Sequence, residues 1–425
     1  MIAYNATYIQ QKFIDYCRIN TRSDERSEAV PTTLGQMVLL KTLETELHQL
    51  GLTAVSYSDA DAYLVGKITS NLKDQTVAPL GFVAHVDTAD YPADNVQPIV
   101  HPNYDGRDIH YPAAPDRVLS SNAFPALQAL IGQTLITGSG DTLLGADDKA
   151  GIAGLLGMAK YLQANPQVPH GDVWLAFGPD EEIGRGAARL IASRFPVEFA
   201  YTLDNGQPGD IAYETFNAAA ATVTFNGTVV HPGEAYGLMV NAALLASQFI
   251  QQLPAGLVPE KSRGYQGFIM VLSNEGNVDK AEVKLIVRSF DTAEYKAMKA
   301  HLRREVADLN AQYGAGHVSL TLQEQYRSPG DVIKQHPYVV NLVHQAYRQL
   351  GLKINHIPFR GGTDGDFITA KGIPTPNLFN GGGNFHGPYE YATTEQMVLL
   401  AKTLTAIVTQ HVQSDQRRDE TPLKR

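Results

Sequence analysis

Leu80-Gly81-Phe82-Val83-Ala84-His85-Val86-Asp87 is a short apolar run that ends in an imidazole and a carboxylate. Its length and polar boundary predict a buried strand over Leu80–Val86. Residues i and i+2 of a strand share a face, so His85 and Asp87 can meet. A carboxylate on an imidazole is the usual outer support of a metal-bound histidine. Alone, the pair reads more readily as a structural hydrogen bond. The pattern recurs, however. Asp172–Phe177 predicts a strand running into Pro179-Asp180-Glu181-Glu182, and Glu198–Leu203 one running into Asp204-Asn205-Gly206. Gly145-Ala146-Asp147-Asp148-Lys149-Ala150-Gly151 opens a helical pattern through Leu162, with two aspartates at its electropositive end. Gly381-Gly382-Gly383-Asn384-Phe385-His386-Gly387 sets a second histidine among glycines. Taken singly these are an N-capped helix, a solvated turn and a loop. Taken together they matter more, because ligands of open α/β sheets gather outside the carboxyl ends of the strands. Two histidines and several carboxylates make a hard-to-borderline donor set that suits zinc, cobalt or manganese. Gly140 and Gly145 resemble half of a phosphate-binding loop, but Ala146 stands where the lysine belongs, which excludes that cradle.

Outward from these junctions, Ile9, Phe13, Ile14 and Cys17 predict an amphipathic helix over 6–19, and Met37, Leu40, Leu43, Leu47 and Leu50 a second over 34–51. Residues 90–132, rich in Pro, Asn, Asp and Gly, predict a long irregular loop. The pattern changes near 215. Strand-like Ala219–Phe225, helix-like Asn241–Leu253, strand-like Gly267–Leu272 and Ala281–Phe290, helix-like Thr292–Tyr313 and strand-like His317–Gln323 follow in the βαββαβ order of a ferredoxin-like unit. Helix and strand signals alternate again from 331. The expected fold class is therefore α/β: a main domain with a central mixed sheet flanked by helices, formed by 1–214 and 328–425, with an inserted α+β ferredoxin-like domain over 215–327. The last dozen residues, SDQRRDETPLKR, are charged and expected to fray.

The chain has 425 residues, 44% of them apolar, enough for two or three domains with a sizeable core. Acidic residues outnumber basic ones by 44 to 34, a net charge of −10, which argues against a general nucleic-acid binder. A single cysteine, Cys17, excludes an intramolecular disulfide and a thiolate metal cage. No apolar run approaches the roughly 18 residues of a membrane span, so no membrane partner is expected. The opening MIAYNATYIQQKF has no apolar leader core, and a reducing cytoplasmic setting is the expectation.

His85-Val86-Asp87-Thr88, Gly145–Gly151, Pro179–Glu182, Asp204 and Asn384-Phe385-His386-Gly387 stand in an order and spacing that resemble the dinuclear zinc peptidase and deacylase superfamily, which includes aminoacylase and carboxypeptidase G. Pro31-Thr32-Thr33-Leu34-Gly35-Gln36, Phe216-Asn217-Ala218-Ala219 and Arg360-Gly361-Gly362-Thr363-Asp364-Gly365 extend the likeness over nearly the whole chain. It is nearest to the branch that removes the N-terminal residue from unblocked tripeptides; dipeptidases, carboxypeptidases and N-acyl-amino-acid deacylases share the same metal core, and an inactive binding module is the rival from another class. The resemblance implies two zinc ions, with cobalt or manganese as substitutes. His85, Asp147 and Asp204 would hold one, and Asp147, Glu182 and His386 the other. Glu181 would be general base and then acid toward a water activated between the ions, and Asp87 would orient His85. The Asp147–Asp148 peptide would be cis. The insert would be a lid or dimerisation domain, which allows a homodimer. His231, by itself a turn residue before Pro232, would donate to the oxyanion. A short peptide is the expected partner, with Arg360 as the first candidate for its carboxylate and Asn241 and Arg288 behind it. Two departures bear on specificity: Asn205 replaces a glycine of the family pattern, and Ser289 an aspartate.

Overall fold

The structure is a computed structural model and describes residues 1–73 and 76–415. The chain divides into two compact units, one of Met1–Tyr213, Pro329–Ile357 and Thr363–Arg425, the other of Glu214–Ser328 and Pro358–Gly362. From 416 on, the tail expected to fray lies outside the described residues; Ser414 and Asp415 still belong to the last helix. No helix among the described residues is long and apolar enough to cross a membrane.

The first unit opens with helices α1 (Ala6–Cys17) and α2 (Leu34–Gln49), then strands β1 (Thr53–Tyr57), β2 (Leu64–Ile68) and β3 (Leu80–His85). The segment 90–132 corrects the expectation of an irregular loop. It holds β4 (Ile99–His101), β5 (Ile109–Tyr111) and β6 (Ala114–Leu119), and β7 (Leu135–Thr137) follows. Each is three to six residues long and largely half-exposed, too short for a periodic signal to emerge among the turn residues. Then come α3 (Ala146–Ala164), β8 (Val173–Gly178), β9 (Phe199–Asn205) and β10 (Asp210–Ala212). The second unit supplies β11 (Asn217–Asn226), α4 (Ala242–Gln252), β12 (Phe268–Gly276), β13 (Lys280–Ser289), α5 (Thr292–Tyr313) and β14 (Val318–Tyr326). The chain returns through α6 (Gly330–Ile333), α7 (Pro337–Gln349), β15 (Asn355–His356), α8 (Asp364–Ala370), β16 (Asn377–Phe379), β17 (Gly382–Gly383), β18 (Tyr391–Thr393) and α9 (Thr394–Asp415).

The central sheet of the first unit is mixed and eight-stranded, in the order β1-β2-β8-β3-β9-β16-β10-β15. Its middle, β8-β3-β9-β16, is wholly parallel. All six residues of β3 are buried, which is why its sequence is a continuous apolar run rather than an alternation. Helix α3 packs against the sheet and against both α1 and α9. Gly154 permits that approach, since a Cβ there would come within 2.6 Å of Leu400 Cδ2. Burying a large apolar side chain of this layer contributes about 1.5–3 kcal/mol, and Leu155, Leu156 and Met158 are wholly buried.

The second unit is a four-stranded antiparallel sheet, β12-β13-β11-β14, with α4 and α5 packed on it. Along β13, Ala281, Val283, Leu285 and Val287 are buried and alternate with more exposed neighbours such as Lys284. That period of two pins the register, because a slip by one residue would turn the buried set outward. Phe249, Tyr295, Met298 and Leu302 fill the same core from the helices.

Candidate metal centre

Three of the four parallel strands in the sheet's middle run into imidazole or carboxylate side chains that cluster together. His85 is the last residue of β3, Glu181 and Glu182 follow β8, and Asp204 sits at the end of β9, while His386 comes from the loop between β17 and β18. Helix α3 brings Asp147 to the same place from its first turn, where Asp147 and Asp148 have non-helical dihedrals and the peptide joining them is cis.

His85 is 3% exposed. Its Nε2 lies 3.1 Å from Asp147 Oδ1 and 3.9 Å from Asp204 Oδ1, and its Nδ1 lies 3.4 Å from Asp87 Oδ1. The other oxygen of Asp147, Oδ2, lies 3.3 Å from His386 Nε2, which is also 3.1 Å from Glu182 Oε2. Asp147 thus faces one histidine with each oxygen. Ligand atoms of His85, Asp147 and Glu182 fall within 4.8 Å of one another, as do those of His85, Glu181 and Asp204. Asp87, fully buried, also accepts the backbone N–H of Glu181 at 3.0 Å on Oδ1 and that of Glu182 at 3.1 Å on Oδ2. One carboxylate therefore holds both the imidazole and the turn that carries the two glutamates.

The first carboxylate of that turn points elsewhere. Asp180 has φ +59°, a left-handed conformation that Asp tolerates better than most residues. Its oxygens accept from Thr32 N at 3.1 Å, from the Thr32 hydroxyl and from Gln36 Nε2 at 2.8 Å. Three adjacent carboxylates are in this way split into one anchor and two that face the cluster. Asp364 is a second anchor, accepting from Ala187 N at 2.8 Å and Tyr63 Oη at 2.9 Å. Sequence reasoning passed over both in their anchoring roles, although Thr32, Gln36 and Asp364 stand in the family-like stretches.

The electrostatics call for a cation. Burial pushes the carboxyls of Glu181 and Asp204 well above the carboxylate range, and neighbouring carboxylates push the same way. Burial also acts to raise Asp147, but His386 and His85 outweigh it and hold that carboxyl well below its ordinary value. For His85, burial opposes the charge, and Asp147 and Asp87 overcome it, so the imidazole is raised. His386 is raised to about 11 by Asp147 and Glu182. Glu182 Oε1 is buried with no hydrogen-bond partner. Imidazole nitrogens, carboxylate oxygens, an orphaned buried acceptor and an excess of negative charge fit a divalent N/O-ligated ion.

A cation that takes the His386 nitrogen must displace its proton. A group raised to about 11 is protonated at pH 7, so metal affinity should climb with pH and fall as acid returns the proton. Titrating zinc into metal-free protein at pH 7 should release protons, read as a buffer-dependent heat of binding. Binding with no proton release would remove the histidines from the ligand set.

The remaining candidates belong to the second unit. His231 is exposed, and its Nδ1 accepts the Gly233 N–H at 3.1 Å, which leaves Nε2 as the N–H of the neutral ring. Asn241 caps α4, its Oδ1 accepting from Ala243 N at 3.0 Å and Leu244 N at 3.3 Å. Arg288 donates to Ala219 O and Val287 O and lies over the Tyr326 ring. Arg360 donates to Gly264 O, Gln266 O and Ser262 Oγ and stacks on Phe216, so its guanidinium is held in one plane by its own unit. Ser289, where the family pattern has aspartate, is fully buried and bonds to Glu294 and Asp291 O at the start of α5. Asn205 is largely buried and closes a local turn onto Gly206 N.

The mixed sheet, with hard and borderline donors gathered at its parallel strand ends, is the architecture of a metal-dependent hydrolase, and the chain belongs to the family described as Peptidase family M20/M25/M40, whose sequence profile matches residues 144–410. Among its relatives is Peptidase T of Fusobacterium nucleatum, 43% identical over 400 residues that cover 94% of this chain and 97% of that protein. A tripeptidase from Staphylococcus aureus shares the fold with a TM-score of 0.77 at 22% identity, over 97% of this chain and 100% of that one. The aminopeptidase PepT from Bacillus cereus does so with a TM-score of 0.75 at 22% identity, over 96% and 99%.

Proposed function

We propose that this protein is a metal-dependent aminopeptidase that releases the N-terminal residue of unblocked tripeptides. The observation that carries the proposal is Asp147, whose two oxygens face His85 at 3.1 Å and His386 at 3.3 Å, the placement required of a ligand shared by two ions. The relatives named for peptidase and tripeptidase activity give the substrate class. His85, Asp147 and Asp204 would hold one ion, and Asp147, Glu182 and His386 the other, with zinc as the metal and cobalt or manganese as substitutes. Two such ions, when bound, lower the pKa of water and polarise a carbonyl.

The residues of the chain do the rest. Glu181 takes the proton from the attacking water and passes it to the departing amide nitrogen, so that the C–N bond breaks as the carboxylate forms. Asp87 keeps His85 oriented and Glu181 in place. His231 offers Nε2–H to the developing oxyanion, and the second unit acts as the lid that carries it. Arg360, Asn241 and Arg288 bind the peptide, with Arg360 matched to its carboxylate. Broad use of small peptides in the cytoplasm suits this chemistry, and a homodimer would be compatible with it.

The test is an unequal tripeptide offered free and blocked. Zinc-loaded protein should convert Leu-Gly-Gly to leucine and Gly-Gly and leave N-acetyl-Leu-Gly-Gly intact, with products identified by mass spectrometry. Cleavage of the blocked peptide would move the enzyme to the deacylases, and release of glycine with Leu-Gly to the carboxypeptidases. No turnover with two ions bound would make the protein a binding module.

A further inference from the structure

His386 and Glu390 belong to one hairpin, in which β17 pairs with β18 through Gly382–Ala392 and Gly383–Tyr391. The hairpin lies directly on the loop that leads to Asp147, for a Cβ on Gly382 would come within 2.9 Å of Ala146 Cβ. Glu390 is 1% exposed. Its Oε2 accepts the backbone N–H of Leu144 at 2.9 Å and of Gly145 at 2.6 Å, and its Oε1 accepts that of Asp147 at 3.0 Å. Its own N–H bonds back to Gly387 O at 3.3 Å, beside His386. Asn384 Nδ2 closes the same loop onto Tyr389 O at 3.2 Å.

We infer that Glu390 is a positioning residue for the metal centre: its carboxylate ties the main chain of Asp147 to the hairpin of His386 and so sets the distance between the two ligands that share one ion. The inference rests on the two-ion reading above. Three N–H groups on one buried carboxylate exceed what capping a helix needs. The third bond falls on Asp147 itself, so the carboxylate holds the main chain of that residue directly. Groups one step removed from a metal commonly change its affinity 10- to 100-fold when replaced, and sites of this kind tolerate errors of only about 0.5 Å.

Glu390→Gln is the first test. An amide has one acceptor oxygen, and the orientation that keeps the bonds from Leu144 and Gly145 turns its NH2 onto the Asp147 N–H. Zinc titration with metal analysis after desalting should show both equivalents weakened, because Asp147 serves both, and the one that also uses His386 weakened the more, about 10-fold or more. The metal-free variant should keep its circular dichroism spectrum. Glu390→Asp, which keeps the charge on a shorter arm, should fall between the two. Two equivalents of wild-type affinity in both variants, or equal loss of both ions, would overturn the inference while leaving the peptidase reading intact. So would failure of both variants to fold, which would make Glu390 a folding element. Fewer than two equivalents in the wild-type protein would overturn the two-ion reading and this inference with it.

Discussion

Glu181→Gln should abolish turnover of Leu-Gly-Gly while both metal equivalents stay bound. The amide is close to isosteric and keeps the backbone N–H that Asp87 accepts at 3.0 Å, so the turn after β8 should hold its shape. It cannot take a proton at neutral pH. Loss of a general base costs roughly 10²- to 10⁴-fold in rate. The environment is suited to that role, because burial first, and then the charge of Asp364 and Glu182, keeps the Glu181 proton affinity well above that of a free carboxylate. The same variant separates two roles for Glu181. Its carboxylate lies within 4.8 Å of ligand atoms of His85 and Asp204, so it could be a ligand instead of the base. Metal analysis decides: an inactive variant that has also lost an ion would make Glu181 a ligand, and an active one would remove it from the chemistry.

Asp147→Asn should empty both metal positions together. Each carboxylate oxygen of Asp147 faces a different histidine, and an amide offers only one acceptor for the two. Glu182→Gln alters the carboxylate that meets His386 at 3.1 Å and should cost one equivalent. Comparing the two variants after desalting reads the bridge directly. Loss of a single ion from Asp147→Asn would break the assignment.

Much of the fold was legible because the central strands are buried on both faces. Leu80–Val86 and Asp172–Phe177 stand out as unbroken apolar runs, and β3 and β8 fall on them within a residue or two. Thr292–Tyr313 is a helix with those same ends, set by Asp291 capping Glu294 N and by Gly314 beyond. The strands of 99–119 stayed hidden because they are short and their faces are only half-covered. The clustered histidines and carboxylates stood out for a related reason, since polar side chains directly after an apolar run are conspicuous. Asp180, Asp364 and Glu390 were not, because their partners are backbone N–H groups or residues distant in sequence. Asp180 meets Gln36 across 144 positions, and Glu390 meets Leu144 across 246. No local spacing encodes such pairs. The same holds for Arg360, whose acceptors at Ser262, Gly264 and Gln266 lie almost a hundred residues earlier.

The strand order of the first unit also bears on how the chain is made. β9 is complete at residue 205, yet its neighbour on one side is β16, residues 377–379, and β10 joins the sheet only through that strand. During synthesis the open edge of β9 must wait for more than 170 further residues to emerge. All four strands of the second unit lie between 217 and 326, so their pairing precedes completion of the larger sheet. A parallel edge left unpaired this long is an aggregation hazard for a nascent chain. His386 and Glu390 emerge later still, so the cluster that joins His85, Asp147 and His386 cannot form until the chain has passed residue 386.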